Sequence, residues 1–375
     1  MSRIHYARQK YLLELLRKDP RFKLQLVVGG SMLLEKYGEK HFSEMRNEGF
    51  PIAETLFNVV EGGNHVSMAK TAGLTALEFA NSLHKLNPDI VVIRGDRFEQ
   101  LAMAMVAAYL NTTIAHIEGG DVSGTIDESI RHAITKLAHI HFVTNEDSRR
   151  RVIQMGENPA RVFHVGSPDV EFAARVRRDF DQEALDRTGV GGRVDVKKPF
   201  IIVMQHPVTT ERDNRAHIEM TLEAVNDLNI PAVWFWPNSD AGTAEMAKAI
   251  RVYRELGKLT NDKIHFVTDL VPEDFIALLR RAKALVGNSS AGIKESSYLG
   301  TPVVNIGTRQ AHRLRGPNVV DTAYDRAAIS TAIKKQVAHG PYAPSSVYYK
   351  PGTSKRIADI LAREPLEAQK RFHDI

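Results

Sequence analysis

The chain has 375 residues and no cysteine, which excludes disulfides, thiolate metal sites and cysteine nucleophiles. Hydrophobic residues make up 43% and charged residues 25%, an ordinary balance for a soluble globular protein long enough for two domains. The formal charge of +5 comes without a dense Lys/Arg block and with 7% aromatics, so it points to a small anionic ligand and not to DNA or RNA.

No apolar run is long enough to span a bilayer, and no signal peptide precedes the first helix, so no membrane association and a cytoplasmic location are expected. In chain order, Leu12, Leu13, Leu15 and Leu16 among Arg and Lys predict an amphipathic helix over 3–18. A strand follows over 23–29, then a helix over 31–37 with Ser31 as N-cap. Alternating βα units open with a strand, because the first helix needs a sheet to cover. Here only Met1 and Ser2 precede that helix. The first strand of a doubly wound sheet is central. Its absence predicts a gap between the strands at 23–28 and 89–94, a poorly covered helix 3–18, and a natural chain that starts several residues upstream. A long helix spans 64–85. The apolar run 89–93 reads as a buried parallel strand. A helix over 99–110 and a second buried strand over 113–117 come next. Asp127 opens another helix, and a strand spans 138–144. Asn145 to Ser148 start a helix that runs through Met155, with Arg149-Arg150-Arg151 on its solvated face. A strand over 161–165 closes the first half.

Residues 180–198, with Gly189, Gly191 and Gly192, are the expected linker. The second half restarts with an apolar strand over 199–204, followed by a helix over 216–227 and strands over 232–236 and 264–267. A helix from Pro272 to Ala282 leads to strands at 284–286 and 302–306. The tail 353–370 is predicted helical. Two βα-repeating halves predict an α/β fold of two doubly wound Rossmann-like domains with a cleft between them. The expected boundaries are 1–175 for the domain carrying the acids, 195–345 for the nucleotide-binding domain, and 352–375 for a helix packing back towards the first.

Three carboxylates stand where such sheets bind ligands: Asp96 and Glu118 just past strand ends, and Asp127 at a helix start. Asp127 has an ordinary reading as a first-turn residue favoured by the helix dipole, and Asp96 as a cap of the helix that follows it. Glu118, between a buried strand and Gly119-Gly120, has no capping role, and three acids on one sheet edge favour a site. In the second half, Gly287-Asn288-Ser289-Ser290-Ala291-Gly292 lies between a strand and a helix. There small residues let backbone N–H groups approach an anion and two hydroxyls add donors; the ordinary reading is a serine N-cap. Glu295, about two turns into that helix, suits a ribose diol. His206 at a strand end is a phosphate partner or a proton donor. Arg309 is either a surface ion-pair residue or a phosphate clamp. A diphosphate clamp in one half and three carboxylates in the other suit nucleotide-sugar chemistry. Carboxylates stabilise the positive charge that develops at an anomeric carbon when a sugar–phosphate bond breaks, and can remove the neighbouring, acidified C–H.

The motifs Gly95-Asp96-Arg97-Phe98-Glu99, His116-Ile117-Glu118-Gly119-Gly120, Gly124-Thr125-Ile126-Asp127-Glu128-Ser129-Ile130-Arg131-His132-Ala133, Gln205-His206-Pro207, Gly287-Asn288-Ser289-Ser290 and Gly307-Thr308-Arg309-Gln310 resemble those of the hydrolysing UDP-N-acetylglucosamine 2-epimerases. The resemblance runs over nearly the whole chain. It implies the two-domain glycosyltransferase-B fold, whose C-terminal helix crosses back to the first domain. It implies elimination of UDP to 2-acetamidoglucal, then hydration to N-acetylmannosamine, at the head of sialic-acid synthesis. By resemblance Asp96, Glu118 and Asp127 carry the acid–base work, with the base that takes the C-2 proton left open. Arg97, His206, Ser289, Ser290 and Arg309 hold the diphosphate, Glu295 takes the ribose, and Asn238 matches a binding position. The partner implied is the nucleotide-sugar substrate, in a homo-oligomer, with no cofactor and no metal.

The non-hydrolysing relatives carry a Gly-Asp-Thr-Thr type motif and Glu-Ala-Gly where this chain has Gly95-Asp96-Arg97 and Glu118-Gly119-Gly120. A hydrolysing epimerase of a diacetamido sugar linked to UDP or GDP is an alternative. A glycosyltransferase, which would need an acceptor, is an alternative of another class. Two departures concern the amino end. The family opens with a strand leading into a Gly-Thr/Ser-Arg turn, of which only Ser2-Arg3 are present, leaving Arg3 as a candidate diphosphate contact. Ala7 stands where some relatives have a nucleotide-contacting Ser.

Overall fold

In the computed structural model the described residues are 3–238, 240–260 and 262–374, and the side chains of 3–5, 7 and 35–40 fall outside the description. Arg3, as a side chain, and Ala7 therefore lie outside the described residues. The chain forms two compact units. One comprises residues up to Val122, Ile126–Phe172 and the chain from Tyr348 onward; the other comprises Ser123–Thr125 and Ala173–Val347.

The first unit opens with helix α1 (Arg3–Lys18) and strand β1 (Leu26–Gly29). A 3-10 turn over Gly30–Leu33 leads into α2 (Glu35–Asn47). Ser31 is thus not an N-cap. It lies inside the turn, which starts on the N–H of Gly30 donating to Asn58 Oδ1 (2.8 Å), with no side-chain cap. Next come β2 (Ile52–Leu56), α3 (His65–Leu86), β3 (Ile90–Arg94), α4 (Phe98–Tyr109), β4 (Thr113–Ile117), α5 (Asp127–Leu137), β5 (Ile140–Val143), α6 (Glu146–Gln154), β6 (Val162–His164) and α7 (Pro168–Arg175). Side chains fix the helix starts. Asn64 and Ser67 form a reciprocal capping box on α3, and Asn145 caps α6 by accepting from the N–H of Ser148.

Strands β3–β4–β5–β6 form one parallel sheet, whereas β1 and β2 form a separate parallel pair. The expected gap between β1 and β3 is present: each pairs on one side only among the described residues. The expected loose packing of α1 is not found. Leu12 and Leu16 are buried with Ala115, Phe142 and Ile357, and Leu13 with Leu26 and Val28.

In the second unit α8 (Gln182–Asp186) and β7 (Val190–Gly191) come first. These residues are therefore not a linker. β7 pairs antiparallel with a later strand at Ile264–Val267, and Phe180, Leu185, Val194 and Val196 are core residues packed with Phe200 and Val233. There follow β8 (Ile201–Met204), α9 (Asn214–Leu228), β9 (Ala232–Phe235), α10 (Thr243–Glu255), β10 (Ile264–Val267), α11 (Pro272–Arg281), β11 (Ala284–Gly287), α12 (Ser290–Ile293), α13 (Glu295–Leu299), β12 (Val303–Ile306), β13 (Val319–Thr322) and α14 (Arg326–His339). They build a seven-stranded sheet, β13-β12-β11-β8-β9-β10-β7, parallel except for β7. Its middle strands are buried at every residue but Met204, as the all-apolar run 200–204 requires.

The chain then returns to the first unit with α15 (Thr353–Leu361). The tail helix stops at Leu361 instead of running to Lys370. Pro365 disfavours helix just before it. Beyond Leu361 the tail is tied to the first unit by Arg161, which takes Glu364 (2.8 Å) and Glu367 (2.7 Å), and by Lys370 on Glu157 (2.6 Å). Among the described residues no helix is long and apolar enough to cross a membrane.

Candidate active site

The register Arg94↔Ile117 between β3 and β4 brings the two strand ends level. Asp96 and Glu118 therefore leave neighbouring strands on one edge of the sheet, about 4.8 Å apart strand to strand. Arg97 is the N-cap residue of α4 and makes no side-chain cap, so Asp96 is not that helix's cap either. Its carboxylate accepts from Arg131, Nε–H at 3.0 Å and Nη2–H also. Arg131 lies one turn after Asp127 on α5, is buried, and also donates Nη1–H to the carbonyl of Asp121 (2.6 Å). Burial works against its charge, but Asp96 and Asp121 outweigh that and hold its pKa above the ordinary value. Asp127 is the first residue of α5, with Glu128 beside it in the first turn, where the helix dipole favours acids.

Glu118 is held differently. Its backbone takes φ 74°, a left-handed conformation that a non-glycine residue adopts at a cost and that clusters at functional sites. Its carboxylate lies 3.2 Å from Nη2 of Arg94, and Ser167 Oγ donates to it at 3.4 Å. Arg94 is buried and also binds Asp169, which Arg8 approaches at 3.6 Å. Burial opposes the Arg94 charge, yet Asp169 and Glu118 keep its pKa raised. Gly120 lets the chain leave β4: φ is 79°, and a Cβ there would lie 2.3 Å from the carbonyl of Ser148. Asp121 accepts from Ser148 Oγ (2.6 Å) and Asn145 Nδ2 (3.2 Å), which ties the loop to the start of α6. Beneath the edge, His116 Nε2 bonds the carbonyl of Gly95 (2.9 Å), and burial pushes its pKa down to about 4.

Arg97 belongs to the same edge, with Nε on Glu99 (3.2 Å) and its guanidinium 5.1 Å from the Phe98 ring centroid. It is therefore in the unit of the acids. The other expected anion contacts, His206, Asn238, Ser289, Ser290 and Arg309, are in the second unit with Glu295.

In the second unit the hub is Asn288, at the end of β11. Its side chain accepts from the N–H of His206 (2.7 Å) and donates to the carbonyl of His206 (2.8 Å), joining two strand ends. Its own carbonyl accepts from Arg309 Nη1 (3.2 Å) and Gln310 Nε2 (2.9 Å). Gly287, at φ 128°, permits this close approach, since a Cβ would lie 2.1 Å from the carbonyl of Met204. The N–H of Asn238 donates to Nδ1 of His206 (3.2 Å), which leaves the ring proton on Nε2 when the imidazole is neutral. Asn238 also bonds Asp240, and Arg309 Nη2 lies 4.0 Å from the same carboxylate. Ser289 is the N-cap of α12, accepting from the N–H of Ala291 (3.4 Å), so the ordinary reading of that serine holds as well. Glu295 is not two turns into one helix. The helix breaks at Lys294, whose N–H bonds Ser290 and whose carbonyl takes Ser297 Oγ (2.6 Å), and Glu295 opens α13, buried.

The sequence reading did not single out Arg94, Asp121 and Asp169, and quoted Arg131 only within a motif. The one signal was an apolar strand ending in arginine, Ile90 to Arg94; the partner, Asp169, is 75 residues away.

A family model described as UDP-N-acetylglucosamine 2-epimerase matches residues 14–362. Among curated proteins, the chain is 33% identical to the UDP-N-acetylglucosamine 2-epimerase of Neisseria meningitidis serogroup B, over 100% of this chain and 97% of that one. It is 31% identical to the UDP-N,N'-diacetylbacillosamine 2-epimerase (hydrolyzing) of Legionella pneumophila, over 98% and 95%. Among solved structures, a Neisseria meningitidis UDP-GlcNAc 2-epimerase bound to UDP-GlcNAc superposes with TM-score 0.78 at 14% identity, over 97% of this chain and 100% of that one. The Methanocaldococcus jannaschii UDP-GlcNAc 2-epimerase, in complex with UDP-GlcNAc and UDP, gives 0.75 at 17%, covering 96% of each chain. With a family model over most of its length and full-length relatives above 30% identity, the chain belongs to the UDP-N-acetylglucosamine 2-epimerase family.

Proposed function

We propose that the chain catalyses hydrolysing 2-epimerisation of UDP-N-acetylglucosamine, releasing N-acetylmannosamine and UDP. The observation that carries this reading is the pair of carboxylates on one sheet edge, Asp96 and Glu118, each held by a buried arginine. In the first step the bond from C-1 to the diphosphate oxygen breaks, and a carboxylate stabilises the charge developing at C-1. A second carboxylate takes the C-2 proton, and the C–H electron pair closes the double bond of 2-acetamidoglucal. Water then adds: a carboxylic acid gives a proton to C-2 on the opposite face, the double-bond pair forming that C–H bond, while the water oxygen bonds to C-1 and its surplus proton passes to a carboxylate. Asp96, Glu118 and Asp127 divide these tasks. Arg97, His206, Ser289, Ser290 and Arg309 hold the diphosphate, Arg3 adds to them, Glu295 takes the ribose, and Asn238 steadies the ligand through the His206 loop.

Support for hydrolysis comes from Arg97 and Gly119, which replace the Thr and Ala of the non-hydrolysing pattern, and from the relative named for a hydrolysing reaction. Incubation with UDP-N-acetylglucosamine in deuterated water tests the reading: free N-acetylmannosamine carrying deuterium at C-2 is expected, with stoichiometric UDP. Recovery of UDP-N-acetylmannosamine without free sugar would put the chain among the non-hydrolysing enzymes. The same Legionella relative favours a second reading, a diacetamido sugar on UDP as substrate. The ratio of kcat/KM for the two nucleotide sugars decides between them.

A further inference from the structure

Glu211 lies in the loop between β8 and α9 that also carries His206. Asn214 shapes that loop. Its Oδ1 accepts from the N–H of Val208 (2.7 Å), and its Nδ2 donates to the carbonyls of Val208 (3.2 Å) and Glu211 (3.1 Å). The Glu211 carboxylate takes no part in this and reaches past β11 to the loops that follow β12 and β13. One oxygen accepts from Thr308 Oγ1 and the other from the Tyr324 hydroxyl (3.0 Å). Tyr324 lies face to face with His217 of α9, the ring centroids 3.6 Å apart. Burial, with Glu211 beside it, pushes the tyrosine pKa up, so its hydroxyl keeps the proton it donates. Among the described residues neither Lys nor Arg pairs with Glu211. Its ion-pair contact is His217 Nδ1 at 3.4 Å, and burial pushes that imidazole's pKa down, which leaves it neutral at pH 7. The carboxylate is thus held by neutral donors, through bonds that fix direction as well as distance.

Loop 307–309 is gripped at each residue. Gly307, at φ 73°, lies against the Tyr324 ring: a Cβ there would be 2.1 Å from it. Thr308 is bound by Glu211. Arg309 Nη1 donates to the carbonyl of Asn288 (3.2 Å). The Asn288 bond acts on the guanidinium, whereas Tyr324 and Glu211 set the backbone from which that side chain extends. Glu211 also joins this backbone to the loop of His206, although β8 and β12 are not neighbours in the sheet. Asn288 ties the same two loops from β11, which runs between them. A shift of about 1 Å in one contact is enough to spoil a site that needs both.

Taking His206 and Arg309 as the diphosphate contacts of the proposed reaction, we propose that Glu211 is a positioning residue for the anion clamp. Its carboxylate touches Thr308 and not the ligand, and through Thr308 it holds Arg309 at the spacing from His206 that a diphosphate requires.

Calorimetric titration of UDP into the full chain tests this. Glu211→Ala is expected to weaken UDP about 10-fold, and so is Thr308→Val, which removes the other partner of the bond and keeps the volume; the double variant should lose no more than either alone, within about 2-fold. In an Arg309→Ala background, Glu211→Ala is expected to change the affinity by less than about 2-fold, because the residue it acts through is gone. Glu211→Gln keeps an oxygen for Thr308 and should recover affinity to within about 3-fold of wild type. If Glu211→Ala does not fold, Thr308→Val carries the same comparison with and without Arg309. Wild-type affinity in Thr308→Val overturns the proposal. So does an equal loss in the Arg309→Ala background, which would make Glu211 a residue of general stability. A wild-type chain that binds neither UDP nor GDP instead removes the diphosphate reading of the site, and the proposal with it.

Discussion

Arg94 sits between two carboxylates with almost no access to water, and among the described residues its charge is balanced by Glu118 and Asp169. Breaking such a pair leaves a buried charge uncompensated. Arg94→Met is accordingly expected to cost roughly 3–5 kcal/mol, read by chemical denaturation; a loss near zero would mean that the carboxylates are solvated. Asp96→Asn, Glu118→Gln and Asp127→Asn are expected to cut turnover by ~10²-fold or more while UDP binding changes little. Near wild-type turnover in all three would reduce these acids to structural residues. Ser290→Ala and Arg309→Ala are expected to do the reverse, weakening UDP about 10-fold or more by calorimetry, as loss of a bond to a charged group does. His116 sets a pH dependence. Its folded pKa, about 4, is below the ordinary 6.5, so the native chain keeps it neutral where the unfolded chain takes up a proton. Stability is therefore full above pH 6.5 and falls as the pH drops towards 4, by about 3 kcal/mol for this residue. His132, His139 and His141 are shifted the same way, chiefly by burial. Wild type should lose more Tm between pH 7 and 4.5 than His116→Asn loses.

At the scale of elements, strands β4 and β8 were legible because both faces are covered, and β3 because four apolar residues stand in a row. That pattern also exposed Asp96 and Glu118, the first acids past each run. Elements β2, α7, α8, α10, β13 and α14 were not assigned: β2 and β13 are short and half-exposed, so apolar residues do not mark them. The β7 pairing was hidden for another reason. Gly189, Gly191 and Gly192 look like a loop, but a Cβ at 192 would lie 1.7 Å from the carbonyl of Asp262, so glycine there serves close strand contact. Nothing local in the sequence carries the φ of Glu118 or the reach of Arg94 to Asp169, because both are set by parts of the chain far apart in sequence. Caps are the exception, being local: Asn64→Ala, which removes the capping box of α3, should cost about 1 kcal/mol, seen as a lower Tm.

For the whole molecule, the alternation of βα units made two Rossmann-like units legible, and the separation of β1 from β3 was readable because the innermost strand of such a sheet has neighbours on both sides. The extent of the tail's grip was not, since its anchors are Arg161, Thr113 and Glu157, none adjacent in sequence. That grip bears on synthesis. The second unit is, but for Ser123–Thr125, one uninterrupted stretch, 173–347, whereas the first is closed by residues after 347. On the ribosome the later-made unit can therefore finish folding before the earlier one, which must wait for the last part of the chain to emerge. A nascent chain in which 348–375 are replaced by a Gly/Ser linker long enough for Val347 to clear the ribosome is expected to show protease resistance across 173–347 while 3–172 is still cut. Uniform resistance at that length would mean that α15 and the tail are dispensable to the unit they clasp.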